Sequence, residues 1–193
     1  CGAAVIDILA SVIMDVGQNL NVINQSLTLI ESADVIKPVA ISGNLDYATG
    51  LLNIRVSETV KALDLTKIRV VNQVNDVNYP MTTSIIKSLD SPYPQIKLSE
   101  ANRLATLAIS GQPGGDGVAM VLDVINSNAL MDIAQNNPDV TLGVVVNESA
   151  DITNPRVLNA TLTLGDGVLT LLCSEFIDLT PSNHPQNIGE IGR

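Results

Sequence analysis

The sequence predicts a mainly β protein, an antiparallel β-sandwich repeat with one short inserted helix at about residues 99–110, and three observations predict it. Apolar residues make up 46% of the 193 positions, yet there is one Phe, no Trp and only three Tyr. Val, Ile, Leu and Ala must therefore fill the interior, and branched aliphatics suit a pleated, half-buried surface. Short alternating runs bounded by turn residues recur along the chain, as strands do. The third observation is that the chain repeats itself.

Residues 28–34 read TLIESAD and residues 145–151 read VVNESAD. Setting Asp34 on Asp151 fixes an offset of 117 (151 − 34 = 117). The same offset carries Pro38 onto Pro155, Leu45 onto Leu162, Gly50 onto Gly167, Leu52 onto Leu169 and Ser57-Glu58 onto Ser174-Glu175. Upstream it sets Met14-Asp15 on Met131-Asp132 and Asn19 on Asn136; with one gap, Asp7 falls on Asp123. Residues 35–151 are then expected to be one complete repeat, residues 1–34 the C-terminal part of a preceding one, and residues 152–193 the N-terminal part of the next. A chain that starts at Cys1 rather than Met is expected to be a processed product or an excised segment.

Residues 2–16 fit an amphipathic helix, but the repeat makes Ala4–Ile8 a strand equivalent to 119–124. Residues 39–46 and 50–58 read as two strands joined by Tyr47-Ala48-Thr49-Gly50, with Leu164-Gly165-Asp166-Gly167 at the equivalent place. Asp-Gly is a tight-hairpin signal because both residues tolerate positive φ. Leu52, Ile54 and Val56 share one face of the second strand, and Leu169, Leu171 and Cys173 share the inward face of its counterpart. Cys173 thereby takes the place of a core valine. Residues 67–74 and 83–89 are further strands, with a turn around Asn78-Tyr79-Pro80. Ser99 is a helix cap for residues whose Leu104, Leu107 and Ala108 form an apolar stripe. Gly111–Gly117 is a loop, without the Lys-Ser/Thr that a phosphate-binding loop needs. Residues 119–124 and 140–147 complete the strands.

Charge narrows the partners. Twenty acidic residues against ten basic ones give a net charge of −10, and without a Lys/Arg cluster such a surface repels phosphate backbones, which excludes nucleic acid. Cations are the more natural partners, although a dispersed acidic surface also serves solubility alone. No apolar run reaches the ~18 residues of a membrane span, and no basic stretch precedes the apolar residues 1–30 as it would in a signal peptide. The two cysteines and one histidine (Cys1, Cys173, His184) match no zinc or redox spacing. A Cys1–Cys173 bridge is open on arithmetic but competes with the inward placement of Cys173.

With those residues in view, LDYATGLLNIRVSE and LTLGDGVLTLLCSE resemble the opening hairpin of tandem Ig-like, cadherin-like adhesion repeats of large surface and matrix proteins. MDVGQN and MDIAQN resemble the late turn of such repeats, and ESADVIKP and ESADITNP their inter-repeat joints. Gln18 and Gln135 depart from the pattern, standing where a glycine or small residue is usual, and the helix is an elaboration. The resemblance implies a stalk, adhesin or filament component, extracellular or at the cell surface. It also implies neighbouring repeats or copies of the same protein as partners, and calcium in some members.

A cation site also follows from the residues. Glu58 has the parity of Leu52, Ile54 and Val56, so it points inward, where a carboxylate needs hydrogen bonds or a cation. The incoming linker, the end of the second strand and the turn before the last strand share one pole of a sandwich. Asp34, Glu58, Asp132 and Asn136 should converge there with Glu31 close by, a set of hard oxygen ligands of the kind Ca²⁺ takes. Asp15 and Asn19 would be half of the previous site, and Glu148, Asp151 and Glu175 would begin the next. The competing reading is that these groups cap turns and accept backbone N–H bonds with no metal bound. Asn24, Asn147 and Asn159 lie in Asn-x-Ser/Thr sequons, which would carry glycans in a eukaryotic secreted protein.

The functional expectation is a structural or adhesive repeat, not an enzyme. Its alternatives are a ligand-binding adhesin with a surface or carbohydrate ligand, which a concave pocket would favour, and an N-terminal-nucleophile amidase using Cys1. A lipid anchor on Cys1 is a further option. His184 sits in a polar, Pro-rich stretch and reads as a solvated loop residue.

Overall fold

The computed structural model describes residues 4–72 and 77–177. Cys1, the end of the strand expected at 67–74, and His184 lie outside the described residues. The fold is mainly β, a large curled mixed sheet with a single short α-helix, of the sandwich-like class. In chain order the elements are β1 (Val5–Ile8), β2 (Asn24–Thr28), β3 (Ala40–Asp46), β4 (Leu51–Val56), β5 (Val60–Leu63), β6 (Ile68–Asn72) and β7 (Val77–Pro80). They continue with β8 (Ile85–Ser88), β9 (Gln95–Lys97), α1 (Glu100–Ala108), β10 (Val121–Val124), β11 (Leu130–Asp132), β12 (Thr141–Ser149), β13 (Val157–Thr163) and β14 (Val168–Cys173).

Eight strands form the main sheet in the order β7-β6-β10-β12-β3-β4-β9-β8, and β5 pairs with β11 beside it. The hydrophobic core lies wholly between Ala40 and Val146. Alternation along β4 creates half of it: Leu52, Ile54 and Val56 are buried, while Arg55 on the other face is exposed. Leu122 and Val124 of β10 and Val144 and Val146 of β12, strands of the same curled sheet, are buried with them. Tyr47, in the β3–β4 turn, is fully buried as well. Gly50 closes that turn at φ 61°, and Gly167 holds the equivalent position at φ 71°; a side chain there would be strained.

Three elements differ from expectation. The main sheet is not wholly antiparallel, because β12 runs parallel to β3. A parallel neighbour needs a long connection, and the chain between residues 46 and 141 supplies it. The turn expected around Asn78-Tyr79-Pro80 is instead strand β7, which occupies the sheet edge, where a proline without an N–H is tolerated. On α1 the buried residues are Asn102, Arg103 and Thr106, whereas Ala108 is exposed and Leu104 only half-buried. Only Leu107 of the expected stripe packs against the core.

The sequence repeat is matched in backbone register. β1 pairs with β2 as Ile6↔Leu27 and Ile8↔Asn24, and β10 pairs with β12 as Leu122↔Val144 and Val124↔Thr141, with the register shift at the same point. β13–β14 likewise copies β3–β4, with Leu162↔Leu169 against Leu45↔Leu52, and Val157↔Cys173 against Ala40↔Val56. Side-chain bonds recur too. Asp7 accepts from Ser26 N at 2.6 Å, and Asp123 from Gly143 N at 2.8 Å. Ser57 Oγ and Ser174 Oγ each accept a backbone N–H, from Val39 and Arg156, at 2.9 Å.

The hairpins β1–β2 and β13–β14 stand apart from the core, each as a two-stranded sheet. Leu169 and Leu171, expected to face inward, are 59% and 51% exposed. Their alternation is intact, but nothing among the described residues covers them.

Candidate functional site: acidic repeat junctions

Asp34, Glu58 and Asp132 come together from three separate parts of the chain. Asp34 lies in the linker before β3 and accepts from Ile36 N at 3.0 Å. Glu58 stands two residues beyond the end of β4, and Asp132 is the last residue of β11, with its side chain buried. One carboxylate oxygen from each lies within 4.8 Å of the other two. Asp132 is fixed by Asn136, which donates to it from its backbone N at 2.7 Å and from Nδ2 at 2.9 Å. The Asn136 amide also donates to the Asp34 carbonyl at 3.1 Å, tying the linker to the turn. Gln135 enters this turn at φ 71°, as Gln18 does at φ 65° in the equivalent one. There Asn19 makes the same two bonds to Asp15, at 2.8 and 3.0 Å, which hold the Asp15 carboxyl below its ordinary value.

Glu58 is the residue of this group with an unmet need. Its Oε1 is buried without a hydrogen-bond partner. Burial, then the neighbouring Asp132 and Asp34 charges, push its carboxyl above the ordinary value. Three carboxylates this close repel one another unless a proton or a cation lies among them. Their hard oxygens suit a divalent cation such as Ca²⁺.

Glu31 does not join the three-carboxylate group. Its Oε1 accepts from Ala4 N at 2.8 Å, within its own hairpin unit. The counterpart Glu148 does the same in the core repeat, accepting from Met120 N at 3.4 Å and Gly111 N at 3.3 Å. The Tyr47 hydroxyl sits 3.0 Å from Glu148 Oε1 and 3.2 Å from the Thr106 carbonyl. Burial and the Glu148 charge push that hydroxyl's pKa well up. Tyr47 therefore remains a neutral donor, pinning α1 to the sheet.

The second junction is built differently. Asp151 and Glu175, the counterparts of Asp34 and Glu58, are met by Arg103 of α1. The guanidinium donates to Asp151 Oδ2 at 2.7 Å, to both Glu100 oxygens at 2.6 and 2.7 Å and to the Tyr47 carbonyl at 3.3 Å. It lies 3.6 Å from Glu175. Pairing with Glu100 raises the Arg103 pKa further and lowers that of Glu100. Glu175 Oε1 is buried and unpartnered, like Glu58 Oε1. Sequence reasoning missed Arg103 because an arginine on a short helix reads as solvated. Its spacing from Glu100, three positions on a helix, was the available signal.

Beside this junction, Glu100 and the β14 residues Leu169, Leu171 and Cys173, with Phe176 and Ile177, line a groove of about 670 Å³. Cys173 is a free, half-buried thiol. Asn24, Asn147 and Asn159 are all exposed on strands; Asn147 donates to Asn44 Oδ1 at 3.1 Å, and Asn159 caps the N–H of Ala160. Among the described residues no helix is long and apolar enough to cross a membrane. The chain matches no protein-family model, no curated protein and no solved structure.

Proposed function

We propose that this chain is a structural or adhesive tandem-repeat segment of an extracellular surface, matrix or filament protein, with cations stiffening the joints between repeats. The observation that carries the reading is the recurrence, 117 residues apart, of the same acidic pair at the start of a repeat, Asp34 with Glu58 and Asp151 with Glu175. At both places a buried glutamate oxygen lacks a donor, which is what a joint built to take a cation requires. At the second joint Arg103 provides the positive charge. At the first, Asp34, Glu58 and Asp132, with the Asn136 turn holding Asp132, would take Ca²⁺. The mainly β, sandwich-like fold supports the resemblance to Ig-like adhesion repeats, and the acidic surface suits a Ca²⁺-rich exterior.

The groove beside β14 favours a second reading, a ligand-binding adhesin module. Its lining weighs against that reading, because Leu169, Leu171 and Cys173 stand at the core positions Leu52, Ile54 and Val56. Such a surface is half of a repeat interior and carries few of the polar groups that orient a small ligand.

Antibodies against residues 35–151 should label intact, unpermeabilised cells of the source organism along an extended surface assembly. Labelling that requires permeabilisation would overturn the extracellular reading.

A further inference from the structure

We infer that the outer face of the main sheet binds an extended, neutral polysaccharide along a row of amide side chains that crosses β12, β3, β4 and β9. The inference rests on the adhesive half of the reading above and gives it a ligand. Its residues belong neither to the acidic joints nor to the groove beside β14.

The row follows from the strand register. Asn147 lies beside Asn44, Asn44 beside Asn53 and Asn53 beside Gln95. Ser88 of β8 continues the line beside Gln95. Residues directly across a ladder share one side of the sheet. Here it is the outer side, because Leu45, Leu52, Ile96 and Val146, the next residues along each strand, are buried in the core. Asn44 and Asn147 are exposed, and Asn53 and Gln95 are half-buried. Asn147 donates to Asn44 Oδ1 at 3.1 Å, whereas among the described residues the Asn53 and Gln95 side chains make no hydrogen bond.

The fold does not ask for these amides. Asparagine is depleted in strands and threonine is favoured. The equivalent hairpin one repeat later shows what an ordinary outer face carries, since Thr161 pairs with Thr170 where Asn44 pairs with Asn53. What the amides add is chemistry. Each offers two donors and a carbonyl acceptor, the mixture that sugar hydroxyls match. One amide stands every ~4.8 Å, the strand spacing, so a straight chain of sugar rings meets them in succession.

Tyr93 supplies an apolar platform beside the row. Bonds from Ile54 N to the Pro94 carbonyl and from Val56 N to the Pro92 carbonyl continue the β4–β9 register. They place Tyr93 opposite Arg55, on the side of the amides. The ring is 55% exposed, and its flat face suits the C–H face of a sugar. Charge selects a neutral polymer: the row carries none, on a chain of net charge −10. Of the two cations on this face, Arg55 and Lys97, the lysine donates to the Thr49 carbonyl.

The test uses the 193-residue chain made without N-glycosylation, so that Asn147 is bare, and cellohexaose as the neutral probe. Isothermal titration should show saturable binding that a chelator leaves unchanged, and the side-chain amide signals of Asn53 and Gln95 should shift in nitrogen-15 spectra. The N44T/N53T variant installs the threonines of the following copy and should keep the thermal transition. It should bind about tenfold more weakly, as the loss of two hydrogen bonds implies. Y93A should weaken binding as well, and a hexamer of galacturonic acid should bind less tightly than cellohexaose. Absence of cellohexaose binding would overturn the inference. So would a folded N44T/N53T variant that binds like the wild type, tighter binding of the acidic hexamer, or binding that the chelator abolishes. A chain that binds no glycan but still labels at the cell surface removes this site and leaves the proposed function standing; a chain that binds cellohexaose but labels only after permeabilisation does the reverse.

Discussion

The hairpins β3–β4 and β13–β14 carry the same pattern, the same turn glycine and the same register, yet their fates differ. Ile54 is 0% exposed and its counterpart Leu171 is 51% exposed. Local sequence is enough to make the hairpin, through alternation and a glycine that accepts positive φ. Burial is a property of what packs against it. β4 lies inside the sheet between β3 and β9, whereas among the described residues β14 has only its hairpin partner β13 and Glu100 of α1 beside it. The two acidic joints differ in the same sense: each presents a linker aspartate and a half-buried glutamate with one buried oxygen, but only the second is met by a guanidinium.

Substituting the two isoleucine/leucine counterparts breaks the first comparison most visibly. I54A should cost about 2–5 kcal/mol, the usual loss for a large aliphatic removed from a packed interior. L171A should change stability by less than about 0.5 kcal/mol in a monomeric sample, as exposed positions do. Chemical denaturation of both variants under identical conditions gives the ratio directly. Comparable losses would mean that the β14 face is covered in solution.

Calcium sharpens the contrast between joints. At a hundredfold excess over its dissociation constant, a ligand specific for the folded state adds about 2.7 kcal/mol. Thermal unfolding with Ca²⁺ and with a chelator should differ accordingly, and E58Q should abolish the difference. E58A should lower stability in Ca²⁺ for the same reason. The pH dependence in chelator provides a separate check. Glu58 is raised above its ordinary 4.5 in the folded protein, so folding favours its protonated form. That contribution is complete below the unfolded carboxyl's pKa and is lost as pH rises through the higher folded value. Stability in chelator should therefore decline as pH is raised above 4.5, and E58Q should flatten this part of the profile. A wild-type profile identical to that of E58Q would remove Glu58 from the site.

Converting the second joint into the first should cost less than I54A or the loss of calcium. R103M removes the guanidinium from Asp151, Glu100 and Glu175 while keeping much of the side-chain volume. Hydrogen bonds to charged groups contribute about 1.5–3 kcal/mol, and the partial exposure of Glu100 and Asp151 places the loss near the lower bound. The variant should also bind more Ca²⁺ than the wild type in isothermal titration, because three carboxylates, Asp151, Glu175 and Glu100, lose their counter-charge. Unchanged stoichiometry would show that the second joint takes only arginine.

Sequence reading reached far in the strands and less far on the helix. Period-two alternation located β3, β4, β10 and β12, because one buried face forces every second residue to be apolar. The repeat placed β1 as a strand against a competing helical pattern. Parity and pole geometry together brought Asp34, Glu58, Asp132 and Asn136 into one place. Pole geometry set Glu31 close by, but it accepts from Ala4 N within its own hairpin unit, a role that leaves no apolar signature. The buried face of α1 was illegible because it is polar: Asn102 and Arg103 find partners 18 and 48 positions away, on Ser84 and Asp151, and the Thr106 carbonyl accepts from Tyr47, 59 positions away. Tyr47 itself looked like an ordinary turn residue. The parallel β12–β3 pair was hidden for a related reason: strand direction depends on the path of the connection and leaves no mark on either strand.

That parallel pair has a mechanical consequence. β3 enters the repeat from the preceding linker, and β12 leaves it toward the next. Because the two strands run side by side in the same direction, tension along the chain pulls the start of β3 and the end of β12 oppositely along their common axis. The ladder from Gly43–Val146 to Asp46–Ser149 is then loaded in shear, its hydrogen bonds sharing the force at once. An antiparallel pair joined at the same two ends would instead be peeled open one bond at a time. A repeat whose first and last strands are latched in this way resists extension as a unit until the whole ladder gives, like a bolt drawn sideways.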